Sequence, residues 1–222
     1  PVTGEPGETP LEFDSWTAHD VDLRISLDAA RFGPARLGDL AAQLMVRKGR
    51  FEAAVLRASA YGGSARARLL ATAVPAGAEV ILQLGLDRVN LAQAGSDLPA
   101  LVGSLTGFAT GQIALDGVGD SFEQVVGSLT GRASATLRQG EFKGVNFAEL
   151  LRRSEGPLAA RDWRQGKTSF ETAQITAVAY RGVLALTDAQ MAGPGYALSM
   201  SGNADLSRRW LELTGLLSAT NG

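Results

Sequence analysis

Apolar and polar residues alternate along most of this 222-residue chain, and that alternation restricts its fold more than any other feature. The segment DVDLRISLDA has an apolar residue at every second position: Val21, Leu23, Ile25, Leu27 and Ala29. Successive side chains of a strand point to opposite faces, so this pattern predicts a strand with one apolar and one wet face. The pattern recurs between short turns that contain glycine, such as Lys48-Gly49-Arg50. Short turns join antiparallel neighbours, so we expect a mainly β fold: a curved antiparallel sheet of about eleven strands, forming a groove or half-barrel.

Three stretches follow the helical period instead, and they predict two or three short amphipathic helices. In DLPALVGSL and SFEQVVGSL the apolar residues recur at i, i+3, i+4 and i+7, and NFAELLRRS is the third stretch. The first two stretches lead into the same hexapeptide, VGSLTG, at residues 102–107 and 126–131. We expect each copy to be the second half of a helix. Its last residue, Gly107 or Gly131, would close the helix with a positive φ, and Gly103 and Gly127 would let the helix approach the sheet closely.

Composition excludes several classes of protein. The 21 basic and 23 acidic residues nearly balance and form no basic block, so we expect no nucleic-acid partner. The chain has no cysteine, which leaves the redox compartment open. No apolar run approaches the ~20 residues of a membrane-spanning helix, and no signal peptide is present. We expect a piece of a longer protein: a linker or disordered end at 1–12, one β domain at 13–217 and a frayed end at 218–222.

The residue pattern offers no candidate for catalysis or for metal binding. His19 is the one histidine in the sequence, and in a strand it would point away from Asp20 and Asp22. There is no G-x-S-x-G nucleophile motif, and the carboxylates are scattered over wet strand faces. Arg66 and Arg68 share one strand face, which we interpret as solvated. We therefore expect a non-enzymatic protein with no metal and no cofactor.

A sheet of this size must bury its apolar face on something. Either the sheet folds over on itself as a sandwich, or it curls into an open groove with an apolar lining that suits lipid. Composition leaves both architectures open. For the groove, strand parity selects the residues that would line it: Leu44, Val46, Leu82, Leu84, Leu86, Ile113 and Leu115.

The segment from Leu105 to Leu151 resembles the C-terminal region of the AsmA family. A strand that begins with glycine leads into a short helix, an "SL-x-G" motif, a strand and a "G-x-x-x-G-x-N" motif. Flanking pieces agree, including YGG at 61–63 and GNADL at 202–206, so the resemblance extends over roughly residues 14 to 215. The chain departs from the family at MAGPG (191–195), where the family more often has a Ser-Pro turn and a basic residue.

The resemblance implies a periplasmic domain of a protein anchored in the inner membrane of Gram-negative bacteria by a helix outside this segment. AsmA-like proteins are related to bridge-like lipid carriers, so the implied function is cell-envelope and outer-membrane lipid homeostasis, with phospholipid acyl chains bound or conducted along the groove. Phospholipid or another envelope lipid is the expected partner, with an envelope protein as a possible second one. The helices would plug or border the groove end. The alternative is a closed β-sandwich-like module that docks an outer-membrane or envelope protein.

Overall fold

The computed structural model describes residues 13–152, 166–205, 208 and 210–220; the predicted linker at 1–12 lies outside them. Eleven strands form one antiparallel sheet, and each pairs with its neighbours in the sequence. In chain order, β1 to β11 are Val21–Phe32, Ala35–Arg47, Arg50–Ala60, Gly63–Val74, Gly77–Asn90, Phe108–Gly119, Thr130–Lys143, Lys167–Tyr180, Val183–Gly193, Tyr196–Asp205 and Trp210–Ala219. The mainly β, antiparallel prediction is confirmed. The last strand continues past Leu217, where we expected the domain to end.

Five short helical segments, α1 to α5, accompany the sheet: Phe13–Trp16, Leu91–Asp97, Pro99–Val102, Phe122–Ser128 and Phe147–Arg152. The helix predicted around residues 98–105 is shorter than expected, because Gly103 already caps α3 and Leu105 forms a β-bridge with Phe142. Gly107 and Gly131 do have positive φ, at 104° and 143°. However, neither closes a helix: Gly107 directly precedes β6, and Gly131 is the second residue of β7.

The strand register places apolar residues on one face of the sheet across its whole width. Directly paired residues of antiparallel strands point to the same face. One continuous row crosses all eleven strands without a polar side chain: Leu23, Leu44, Ala53, Leu69, Leu82, Leu115, Gly131, Ala179, Leu184, Ala204 and Leu211. The next row begins Arg24, Gln43, Ala54, Arg68, Gln83, Ala114 and Arg132. We call these two surfaces the apolar face and the polar face.

Helices cover the apolar face near both ends of the strands. At one end, Phe13 of α1 packs against Ala71 and Ala78, and α4 lies over the end of β6. There a Cβ added to Gly117 would lie 2.7 Å from the Val125 carbonyl oxygen. At the other end, Leu91 of α2 and Val102 of α3 pack in a cluster with Leu137, Phe170 and Ala173. The two small cores therefore lie at the strand ends.

The middle of the apolar face is not covered by a second layer. Leu82 and Ile175, both central on this face, remain 37% exposed. No ladder joins β1 to β11 among the described residues, so the sheet is open. Among the described residues, the apolar face packs on helices at its ends and on no second layer at its centre, so the sandwich alternative is wrong for this chain.

Candidate functional site

The open middle of the apolar face contains a depression, which we call the central groove. It has a volume of 160 Å³ and spans β5 to β8. Its lining on the apolar face is entirely aliphatic or glycine: Leu84, Leu86, Gly111, Ile113, Ala133, Ala135, Ile175 and Ala177. Gln112 and Ser134 also border the groove, but the register places their side chains on the polar face. On the apolar face the lining therefore offers contact to hydrocarbon and no side-chain hydrogen bond. Such a surface selects ligands by apolar area and width alone.

The predicted lining residues lie on the expected face, but they do not all meet at one place. Leu84, Leu86 and Ile113 line the central groove. Leu82 pairs with Leu115 one row away, on the same face. The other two predicted residues, Leu44 and Val46, lie on β2, three strands from β5. Whether any of these seven residues contacts lipid stays a prediction.

Sequence reasoning missed the small residues that give the groove its depth. Ala133 pairs with Ile113 on one side and Ala177 on the other, so two alanines continue a row that starts with large side chains. Ala135 pairs with Gly111 and Ile175 in the adjacent row. Where alanine follows leucine and isoleucine along a row, the floor of the groove is deeper by most of the length of a side chain. Alternation in RASATL placed these alanines on one face, but only the register shows that they lie beside Ile113.

Titratable groups lie on the polar face and at the strand ends. Glu52 accepts hydrogen bonds from Arg50 and Arg68, and the Arg50 bond in particular lowers the pKa of Glu52. Tyr196 is the first residue of β10, and burial raises its pKa. Its hydroxyl donates to the Ser169 carbonyl oxygen at 2.9 Å. These groups are paired for structure, and none faces the central groove. The arrangement provides no acid and base that converge on a bound molecule.

The described residues contain no group of three or more His, Cys, Asp or Glu side chains that could hold a metal ion. His19 is exposed next to the start of β1. In the same part of the chain, the helices are all too short or too polar to cross a lipid bilayer.

The fold and the groove define a class: an open, single-layer antiparallel sheet with a continuous apolar face that helices cover only at its margins. The profile of the AsmA family matches residues 6–189, which is most of the chain, and the chain belongs to the AsmA family. The match ends in β9, so the GNADL segment lies beyond it. No curated protein and no solved structure matches the chain.

Proposed function

We propose that this domain binds phospholipid or another envelope lipid through its acyl chains, which lie on the apolar face. The protein acts without catalysis in cell-envelope lipid homeostasis, as the periplasmic part of an inner-membrane-anchored AsmA protein. One observation carries the proposal: an apolar row crosses eleven strands and is left open at its centre. Membership of the AsmA family is consistent with a lipid-related role in the envelope.

The dimensions of the apolar face suit an extended hydrocarbon chain. Ten inter-strand steps of about 4.8 Å give the face a width of about 48 Å across the strands. The helices at both strand ends border this surface on two sides, while the first and last strands leave it open along the groove. Each buried methylene contributes about 0.8 kcal/mol, so an acyl chain laid over several strands would bind without any polar contact. The headgroup would stay in water.

Native mass spectrometry of the purified chain, followed by solvent extraction and lipid analysis, tests the proposal. Lipid in near-stoichiometric amount is the expected result, either as purified or after incubation with phospholipid vesicles. A mass that remains that of the lipid-free chain after incubation would contradict it.

Two variants with the same added charge locate the binding surface. Leu84→Glu places a carboxylate in the central groove, whereas Gln43→Glu places it on the polar face of β2. Burying a carboxylate beside hydrocarbon costs several kcal/mol, so Leu84→Glu should reduce lipid occupancy at least tenfold. Gln43→Glu should leave occupancy unchanged. If both folded variants retain lipid equally, the apolar face is not the binding surface.

A further inference from the structure

The polar face contains a second depression, which the lipid proposal does not use. This polar recess has a volume of 790 Å³ and extends from β3 to β8. The polar side chains around it come from β4 to β8: Arg66, Arg68, Gln83, Gln112, Arg132, Ser134 and Thr176. All of them are hydrogen-bond donors, and no carboxylate is among the residues that line the recess. The recess is therefore positively charged although the whole chain has a formal net charge of -2.

Two of the three guanidinium groups in the recess form no ion pair with a described residue. Arg68 lies 2.9 Å from Glu52, which balances its charge. Within the described part of the chain, no carboxylate lies within ion-pair distance of Arg66 or Arg132. These two arginines stand on β4 and β7, three strands or about 14 Å apart. Long side chains on opposite sides of the recess can both reach an anion placed between them.

The centre of the recess is kept open by residues with little or no side chain. Gly85 lies between Arg66 and Gln112 in one row, and Ala114 lies between Gln83 and Arg132 in the next. Gly85 is paired regularly on both sides, and it is not among the positive-φ residues. A Cβ added there would meet nothing within 4 Å. Neither backbone conformation nor packing requires this glycine, and glycine inside a strand is otherwise typical of close approach by another molecule.

We propose that the polar recess binds a phosphate-bearing anion, which rests over Gly85 between Arg66 and Arg132. Guanidinium forks bind phosphate oxygens through paired, charge-assisted hydrogen bonds, and the amide and hydroxyl groups of Gln112 and Ser134 supply further donors. The phosphate could belong to a lipid headgroup or to a free phosphorylated solute, since the recess recognises the chemistry that both share. This site lies on the opposite face from the central groove, so it is independent of acyl-chain binding.

Binding is measured with two probes at low ionic strength, where screening of exposed charges is weak. Inorganic pyrophosphate is titrated by calorimetry, and vesicles with phosphatidylglycerol are compared with pure phosphatidylcholine vesicles in a flotation assay. Arg66→Gln with Arg132→Gln should weaken binding at least tenfold, because the charge-assisted hydrogen bonds of both guanidinium groups are lost. The matched control is Arg24→Gln with Arg47→Gln, which removes the same charge from β1 and β2 and should not change binding.

Gly85→Val separates a binding role from a structural one. A β-branched side chain suits a strand and here has free space, so the variant should be at least as stable as the wild type. It should nevertheless block the recess and weaken binding of the same probe by a similar factor. If Gly85 were needed only for the fold, Gly85→Val would lower the stability of the protein and leave binding unchanged.

The outcomes of the two probes assign the source of the phosphate. Pyrophosphate binding that depends on Arg66 and Arg132 indicates a phosphorylated solute, and vesicle binding with the same dependence indicates a lipid headgroup. Equal loss in the Arg24/Arg47 control, or no binding of either probe by the wild type, would overturn the proposal. Ile175→Glu alters the central groove at a residue that does not line the recess, and it should bind the effective probe like the wild type, which keeps this result distinct from the acyl-chain experiment.

Discussion

Asp97 is the last residue of α2, and its carboxylate connects this helix to the sheet. Its Oδ2 atom accepts hydrogen bonds from Nε of Arg36 at 2.6 Å and from the hydroxyl of Tyr61 at 3.0 Å. A carboxylate at a helix C-terminus meets the negative end of the helix dipole, so the helix itself gains nothing from this residue. The Arg36 hydrogen bond, more than any other contact, lowers the pKa of Asp97. The residue therefore anchors α2 at the border of the apolar face.

This anchor predicts a specific pH dependence. Because the folded-state pKa of Asp97 lies below its ordinary value of about 3.9, its contribution to stability is complete above that value. The contribution disappears as the pH falls through the folded-state pKa, since protonation breaks the ion pair. In urea denaturation below about pH 4, wild-type stability should therefore decrease more steeply than that of Asp97→Asn. Asp116→Asn removes a carboxylate that forms no ion pair with any residue the structure describes, and it is the matched control. Parallel pH profiles for wild type and Asp97→Asn would contradict the prediction.

The two copies of VGSLTG have the same role at opposite ends of the strands. The first copy leads into β6, and its Ser104 carbonyl oxygen accepts from the Lys143 N–H at 2.8 Å, at the end of β7. The second leads into β7, and its Leu129 carbonyl oxygen accepts from the Gly182 N–H at 3.0 Å, just after β8. Each copy is thus bonded at the end of the strand that pairs with the one it enters. Each copy of the hexapeptide therefore holds a helix at the margin of the apolar face.

The contact of α4 with the turn between β8 and β9 requires glycine, which gives a prediction for this element. At Gly182 φ is 75°, and an added Cβ would lie 2.9 Å from the Val126 carbonyl oxygen and 3.0 Å from the Gly127 Cα atom. Gly195 has a similar φ of 79° but nothing within 4 Å. Gly195→Ala should cost about 1 kcal/mol of unfolding free energy through backbone strain alone. Gly182→Ala should cost about 1–3 kcal/mol more, because α4 must also move.

Urea denaturation measures both costs, and hydrogen exchange shows where Gly182→Ala acts. Exchange should increase in α4 and in the β8–β9 turn, and Gly195→Ala should leave α4 protected. Equal destabilisation by the two variants would mean that the close approach of Gly127 and Gly182 contributes nothing.

How well the sequence predicted each element depends on how local its cause is. Alternation is a property of successive residues, so it identified the strands, and the short turns then fixed their order and the common face of Leu84 and Ile113. Helix ends depend on contacts from distant strands. The sequence pattern predicted that Gly107 caps a helix. In the structure a Cβ at this position would lie 2.7 Å from the Arg138 carbonyl oxygen of β7, so glycine is needed there because β7 passes close by.

Surface features that extend over several strands could not be predicted from the sequence pattern. The recess places Arg132 near Arg66 only because four strands keep their register through β5 and β6, and that register shifts just beyond it, between Leu86 and Val89. Nothing local to RASATL indicates that Arg132 shares a face with Gly85 and Arg66, two and three strands away. The alanine floor of the central groove escaped prediction for the same reason.

At the scale of the whole molecule, the two edges of the open sheet differ in how they are protected. The polar face of β1 presents Asp22 and Arg24 within its first four residues, and charges on an edge strand disfavour pairing with another chain. The polar face of β11 presents Glu212 and Thr214, but also Trp210 and Leu216, which are 52% and 70% exposed. Leucines on its apolar face are exposed as well, and Glu212 is the one charged residue of this strand, so β11 is the less protected edge.

We therefore expect this chain to associate through β11 as its concentration rises, with the strand pairing edge to edge with β11 of another copy. Leu216→Lys places a charge on the exposed edge and should raise the concentration needed for association at least several-fold, as measured by sedimentation velocity. Leu56→Lys is the control, because Leu56 is 58% exposed but lies on β3, whose edges are both paired. If both lysine variants reduce association equally, general surface hydrophobicity drives it and not the edge. A wild type that stays monomeric at high concentration would show that the edge is protected in some other way, and the prediction would fail.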